Sequence, residues 1–314
     1  MVTCRHPVES DLDVITQIWN DSRAGMLHYR RMSRDEVRSE TFGEGDYDSK
    51  GAWIAYDGDE PIGYAEGLVD RTRVAYGRNE GYARVDVIHA KRGLGIERDL
   101  MDSALDYLRT RGVKAALYST QAQDGWRNGI ASDAGFREAR RFCMMLYRGT
   151  STPGGPTLPT GIHLERTMTR GASDEAFKTW VDVTNESFSE HFNFSPWTVE
   201  RIRSYTKTTL DIPSVTFAYD GKMVVGAALN EDSDGFNREN GTKEGWIAVL
   251  GVVKPYRGRG LGKALLVDGI RWLMERGIDT VRIGVDAQNR SALDLYTSAG
   301  FEVTSENISF RKEL

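Results

Sequence analysis

Apolar residues along the chain switch between strand-like and helix-like spacing in an order that occurs twice. In the second half, positions 162–166 read as a short strand. Ser173 then stands as an N-cap before a helical pattern reaching about 187, and 197–206 carries a second helix entered at Ser195-Pro196. Runs at 215–219 and 223–229 flank Asp220-Gly221, a hairpin turn pair. The run 246–253 is largely apolar, as in a strand buried on both faces. From 260 to 276, Leu265, Leu266, Ile270 and Leu273 recur at helical spacing, with Gly262 and Gly269 on the same face. Gly277 ends that helix. A strand at 281–285, a short helix at 289–298 stopped by Gly300, and a strand at 301–311 complete the set. The first half repeats the plan, from a helix near 11–19 to a closing strand near 142–148. This order predicts an α/β fold present twice, each copy a mixed, mostly antiparallel central sheet with helices on both faces.

A single shift supports the repetition. Moving the second half back by 165 positions sets Arg257, Gly258 and Gly260 on Arg92, Gly93 and Gly95. It also sets Leu265 and Leu273 on Leu100 and Leu108, Arg276-Gly277 on Arg111-Gly112, and Ala299-Gly300-Phe301 on Ala134-Gly135-Phe136. Between the copies, the segment 149–161 (GTSTPGGPTLPTG) holds three prolines and no charge, the composition of a semi-rigid linker. We expect domains at 1–148 and 162–314 joined by the linker 149–161, which suits 314 residues at about 150 per domain.

Composition removes some function classes. The 41 Lys+Arg against 46 Asp+Glu leave a formal charge of -5, unlike the overall basic footprint of a nucleic-acid binder. No apolar run approaches the about 20 residues of a membrane span, and the start MVTCRHPVESDLD has no apolar leader core. Cys4 and Cys143 are too few for a disulfide framework, and no Cys/His spacing suggests a metal. Cys143, within FCMMLY, reads as core. The expectation is a soluble, cytoplasmic monomer or homodimer with neither nucleic acid nor membrane as partner.

Candidate chemistry concentrates in 249–266, VLGVVKPYRGRGLGKALL: a buried strand, a Gly- and Arg-rich turn, then a helix start. Gly258, Gly260 and Gly262 let the backbone turn tightly, so free N–H groups of the turn and first helical turn point together at an anion. Arg257, Arg259 and Lys263 add positive charge, and the ligand implied is a phosphate or pyrophosphate. The nucleotide P-loop does not fit: only three residues separate Gly258 from Gly262, and Ala264 stands where Ser or Thr must hold magnesium. The Rossmann fingerprint does not fit either, because the pattern is G-x-G-x-G and follows the fourth strand. The run Arg257-Gly258-Arg259-Gly260-Leu261-Gly262 does fit the acyl-CoA loop R/Q-x-x-G-x-G/A, and NRSALDLYTSAGFE follows downstream at 289–302.

On these motifs the chain resembles the GNAT superfamily of acyl-CoA-dependent N-acyltransferases, over nearly all of both halves. Its tandem arrangement resembles that of mycothiol synthase and related two-domain members; the mycothiol substrate is not carried over, since nothing in the chain identifies it. The resemblance implies that the loop holds the CoA pyrophosphate and that strand 249–253 splays from its neighbour to pair with the pantetheine arm. It implies that N–H groups near Leu250 or Val252 polarise the thioester carbonyl, and that Asn289 and Tyr296 face the cofactor. The implied reaction moves an acetyl group from acetyl-CoA, a co-substrate used without metal, to a primary amine of a small molecule or peptide. Attack is direct, in a ternary complex, and Tyr296 protonates the leaving thiolate. Where two-domain relatives carry a basic Glu on the fourth strand, this chain has Trp246. Glu244, two residues earlier, is the candidate base and Glu231 the runner-up. The missing Glu also suits a different class, a non-catalytic acyl-CoA-binding sensor or interaction protein.

The halves are not equivalent. Under the shift Gly262 corresponds to Glu97, Tyr296 to Ala131 and Asn289 to Asp124. A carboxylate at 97 repels phosphates, so we expect a degenerate first half and an active second half; Glu97 also reads as a favourable charge in a helix's first turn. Several residues keep two readings. Tyr296 is also plain core by its spacing, and Asn289 also a helix cap. His191, Phe192, Phe194 and Trp197, within 189–197, form an acceptor pocket or pack the first two helices together. Glu231, Asp232 and Asp234 read as a solvated loop, or as an attractor of a cationic amine.

Overall fold

A computed structural model of the chain describes residues 2–43, 45–168, 172–192, 194–208 and 212–314. The chain forms two compact units, Met1–Arg141 with Glu306–Leu314, and Phe142–Ser305. In chain order the first carries β1 (Val2–Arg5), α1 (Leu12–Arg23), α2 (Arg34–Glu40), β2 (Ala52–Asp57), β3 (Glu60–Leu68) and α3 (Arg71–Ala75). It continues with β4 (Glu80–Val87), α4 (Ile96–Thr110), β5 (Ala115–Gln121) and α5 (Gly125–Asp133). Next come β6 (Arg137–Arg148), β7 (Ile162–Met168), α6 (Asp174–Phe188), α7 (Val199–Thr208), β8 (Ile212–Asp220) and β9 (Met223–Asp232). The chain ends with α8 (Asp234–Asn240), β10 (Glu244–Val252), α9 (Leu261–Glu275), β11 (Thr280–Asp286), α10 (Arg290–Ser298) and β12 (Glu302–Glu313).

The first unit's strands run in the order β1-β2-β3-β4-β5-β12 and the second unit's in the order β6-β11-β10-β9-β8-β7. Among the described residues, β4–β5 and β10–β11 are the parallel pairs within them, so each sheet is mixed and mostly antiparallel. Helices cover both faces because side chains alternate along a strand. On β3, Tyr64 meets Trp19 of α1 with ring centroids 5.7 Å apart. Its neighbour Gly63 instead admits Leu100 of α4, which a Cβ there would meet at 2.9 Å. In the second unit Gly226 and Gly245 admit Leu265 and Leu273 of α9, while Gly251 admits Ser187 and Phe188 of α6. The shift of 165 carries α4, β5, α5 and β6 onto α9, β11, α10 and β12 residue for residue.

The closing strands depart from the sequence-based division. Residues Phe142–Arg148 of β6 pair with β11, from Phe142↔Asp286 to Arg148↔Thr280. Residues Asn307–Glu313 of β12 pair with β5. Each compact unit is therefore closed by the strand that the other half of the sequence ends on. The segment 149–161 runs inside the second unit, and the chain changes unit at Arg141–Phe142 and at Ser305–Glu306. The two closing strands are copies of one another, so either suits either sheet edge, and exchange of like elements costs little. Two local expectations also shift. The second helix, expected over 197–206, is Val199–Thr208. Glu231 and Asp232 are not a solvated loop: they end β9 and are buried. Asp232 can be buried because it accepts from Arg276 at 3.0 Å. Among the described residues no helix is long and apolar enough to cross a membrane.

Candidate active site

The second unit holds an opened strand. β10 pairs with β11 only from Glu244↔Thr280 to Ile247↔Ile283. Its pairing with β9 continues to Val252↔Gly226, with a register shift between Ile247 and Val249. Ala248 is thus a bulge, which bends β10 and ends its pairing with β11. Val253 donates its N–H to Val225 O at 3.1 Å, on the β9 side. Alternation then turns the N–H groups of Leu250 and Val252 to the open side. These are the two groups expected to polarise the carbonyl.

An anion-binding turn follows directly. Gly258 and Gly260 have φ of 73° and 86°, the left-handed region that favours glycine. Gly260 is the N-cap of α9 and offers no side-chain acceptor. Ala264 is the first residue of the helix to bond back, to Gly260 O at 3.0 Å. Among the described residues no acceptor faces the N–H groups of 258–263, and the helix dipole adds partial positive charge there. A Cβ at Gly262 would lie 3.4 Å from Leu295 Cδ2 and 4.0 Å from Leu250 Cδ2, so turn, α10 and opened strand converge. Lys263 is exposed, and the Arg259 guanidinium lies 5.0 Å from the Tyr256 ring centroid. This set of donors fits a pyrophosphate.

Arg257 has a different task from the one its charge suggests. Its Nε donates to Val252 O at 3.0 Å and its Nη2 to Ser187 O at 2.9 Å. It fastens the turn to the open edge of β10 and to the end of α6, where strand carbonyls lack sheet partners. Arg92 makes the corresponding bond to Ser22 O in the first unit.

The remaining sequence candidates separate. Asn289 caps α10, its Oδ1 accepting from Ala292 N–H at 3.1 Å, as Asp124 caps α5. Tyr296 is 5% exposed, lies 6.0 Å from Phe301 between ring centroids and shares an apolar cluster with Leu250. Burial pushes its phenol above the usual range, so it keeps its proton. The structure does not bring Glu244 to the opened part of β10. It stands at the start of β10, roughly 20 Å before Leu250 at about 3.3 Å per residue, and its carboxylate is 3.3 Å from Arg282 Nε. Glu231, opposite Trp246, lies at the same far end.

A cavity of about 160 Å³ opens beside Val249, the first residue after the bulge. His191, Phe192, Phe194 and Trp197 line it, as one reading of their segment expects; Asn193 of that segment lies outside the described residues. Trp197 also packs against Trp180 and Tyr205, at 5.2 and 5.5 Å between centroids, so the helix-packing reading holds for it too. Thr184 and Ser195 line it too, with Phe142, Phe188 and Asp286, which were not legible in the sequence. Phe142 belongs by position to the first half and reaches the cavity as the cross-strand partner of Asp286.

The first unit shows the same ground filled in. The Glu97 carboxylate accepts the Gly93 N–H at 2.6 Å and Trp126 Nε1 at 3.2 Å, inside the turn itself. β4 and β5 pair only over Glu80–Tyr82. Beyond them Asp86 binds Arg23 at 2.9 Å and Arg127 at 3.0 Å, where the second unit has Gly251, Phe188 and Ala292. The Val87 N–H, counterpart of Val252, already donates to Ser22 Oγ at 3.2 Å. Burial alone would raise the Asp86 carboxyl, but Arg23, Arg127 and Arg84 hold it well below the usual range.

The sequence profile of the Acetyltransferase (GNAT) family matches residues 15–128 and 177–301. The chain belongs to the GNAT family. It is an acyl-CoA-dependent acetyltransferase of tandem GNAT architecture. The mycothiol acetyltransferase of Corynebacterium efficiens is 29% identical over 250 residues, covering 78% of this chain and 79% of its own. That of Thermobispora bispora is 29% identical over 274 residues, covering 82% of each. A tandem GNAT protein from the clavulanic acid biosynthesis pathway shares the fold at TM-score 0.75 and 15% identity, over 100% of this chain and 98% of its own. A GCN5-related N-acetyltransferase from Sphaerobacter thermophilus matches at TM-score 0.72 and 23% identity, over 99% of this chain and 95% of its own.

Proposed function

We propose that the protein acetylates a primary amine from acetyl-CoA, with the chemistry in the half 162–314 and a degenerate half at 1–148, joined through 149–161. The observation that carries this reading is the contrast at one place in the repeat. Residues 258–263 present a row of N–H groups beside an opened strand, whereas Glu97, Asp86 and Arg127 occupy the matching ground. The turn holds the pyrophosphate, with Arg257 as a positioning residue, and the N–H groups of Leu250 and Val252 stabilise the charge that develops on the carbonyl oxygen. The amine nitrogen forms the bond to the acetyl carbon, and the carbon–sulfur bond breaks with its electron pair on sulfur. Tyr296 supplies the proton that sulfur takes, and the nitrogen gives up its proton to solvent. A titration of acetyl-CoA should find one tight site per chain, and free thiol should appear only when an amine is added. Two equal sites, or binding with no thiol released for any amine, would remove this reading.

A further inference from the structure

The cavity beside Val249 bears on which amine is used, and this inference rests on the function proposed above. A cleft of about 160 Å³, open to solvent at the mouth of the opened strand, leaves room for a small ligand group. Cavities of about 150 Å³ lined by apolar side chains hold one benzene ring. Aromatic carbocycles form half of this wall: Phe188 from α6, Phe192, Phe194 and Trp197 from the segment before α7, and Phe142 from β6. Phe194 is 6% exposed and Phe188 stands edge-on to His191 at 4.6 Å, which stiffens the wall. Four lining residues carry polar side chains: Thr184, His191, Ser195 and Asp286. Thr184, 3% exposed, lines the cavity with a hydroxyl that has no protein partner. Asp286 supplies one carboxylate, opposite Phe142.

We infer that the acceptor is a small primary amine with a single aryl-sized apolar body, seated among these rings with its nitrogen toward Asp286 and Val249. A polyhydroxylated amine fits less well, because hydroxyls set against the rings would lose water without gaining a partner. An ammonium is attracted by the faces of aromatic rings and by Asp286. The apolar wall opposes this by disfavouring the charged form, so ring faces and carboxylate on one side and desolvation on the other act in opposite directions on its proton.

The test compares benzylamine and 2-phenylethylamine with glucosamine, using the full chain, acetyl-CoA and a free-thiol readout. The aryl amines should exceed glucosamine in kcat/KM by about 10-fold or more, the discrimination an apolar pocket supplies. Phe192→Ala should raise the aryl-amine KM about 10-fold and leave the KM for acetyl-CoA unchanged, and Phe192→Leu, which keeps most of the apolar volume, should fall between. Glucosamine turned over as well as the aryl amines, or an aryl-amine KM indifferent to both variants, overturns this inference while leaving the acetyltransferase reading standing. Thiol release with no amine at all overturns the reading beneath it.

Discussion

Gly262→Glu installs in the second unit the carboxylate that Glu97 places in the first. Glu97 accepts the Gly93 N–H at 2.6 Å, and the shift of 165 makes Gly258 its counterpart. A hydrogen bond to a charged group contributes about 1.5–3 kcal/mol, which a phosphate must displace to enter. If the carboxylate stays nearby instead, a unit charge about 5 Å away at an effective dielectric of about 20 costs about 3 kcal/mol. Either route weakens acetyl-CoA binding by about 10- to 150-fold. Gly262→Ala is the control, since its Cβ meets Leu295 at 3.4 Å and Leu250 at 4.0 Å, ordinary contacts. Isothermal titration with CoA reads the affinity directly. Acetylpantetheine, which lacks the pyrophosphate, should react equally well with Gly262→Glu and the unaltered protein. CoA affinity within threefold of the unaltered protein, or equal loss with both donors, would refute the placement of the pyrophosphate on this turn.

Further outcomes follow from the same geometry. Tyr296→Phe should lower kcat about 100-fold with little change in the acetyl-CoA KM. Because burial raises that phenol, the pH–rate profile of the unaltered protein should show no alkaline fall from Tyr296 up to about pH 10; a fall near pH 9 lost in Tyr296→Phe would contradict this. Arg257→Ala removes donors to Val252 O and Ser187 O and should raise the acetyl-CoA KM about 10-fold. Arg257→Lys should not restore it, since one ammonium cannot reproduce the fork. Asp86→Asn leaves Arg23 and Arg127 without their buried carboxylate and should destabilise the first unit by about 3–5 kcal/mol in urea unfolding. The folded-state pKa of Asp86 lies below its unfolded value. Its stabilisation is complete above about pH 4 and is lost as pH falls toward the folded value, so Asp86→Asn should flatten the acid limb of stability. An unchanged acid limb would count against it.

The local signals were strong enough to read from the sequence. Helical spacing and the glycine stops placed α9 and α10 to within a residue or two, because propensity, capping and periodicity agree there. The anion-binding geometry of the turn was legible because it is backbone geometry: glycines at 258 and 260 and a helix start are enough to specify it. The inequality of the halves was legible at Glu97, a single residue within the turn. What depends on distant pairing was not legible. The bulge at Ala248 opens β10 through its register with β9 and β11, and no residue type announces it. The carbonyls that claim Arg257 come from Val252 and Ser187, seventy positions apart in the second case. Glu244 looked suitable by alternation alone, yet strand length carries it to the far end of β10. The exchange of closing strands lay furthest out of reach. Two copies of one strand satisfy either sheet equally in pattern, so only the assembled fold decided that Phe142 would face Asp286 and help wall the cavity of the other half.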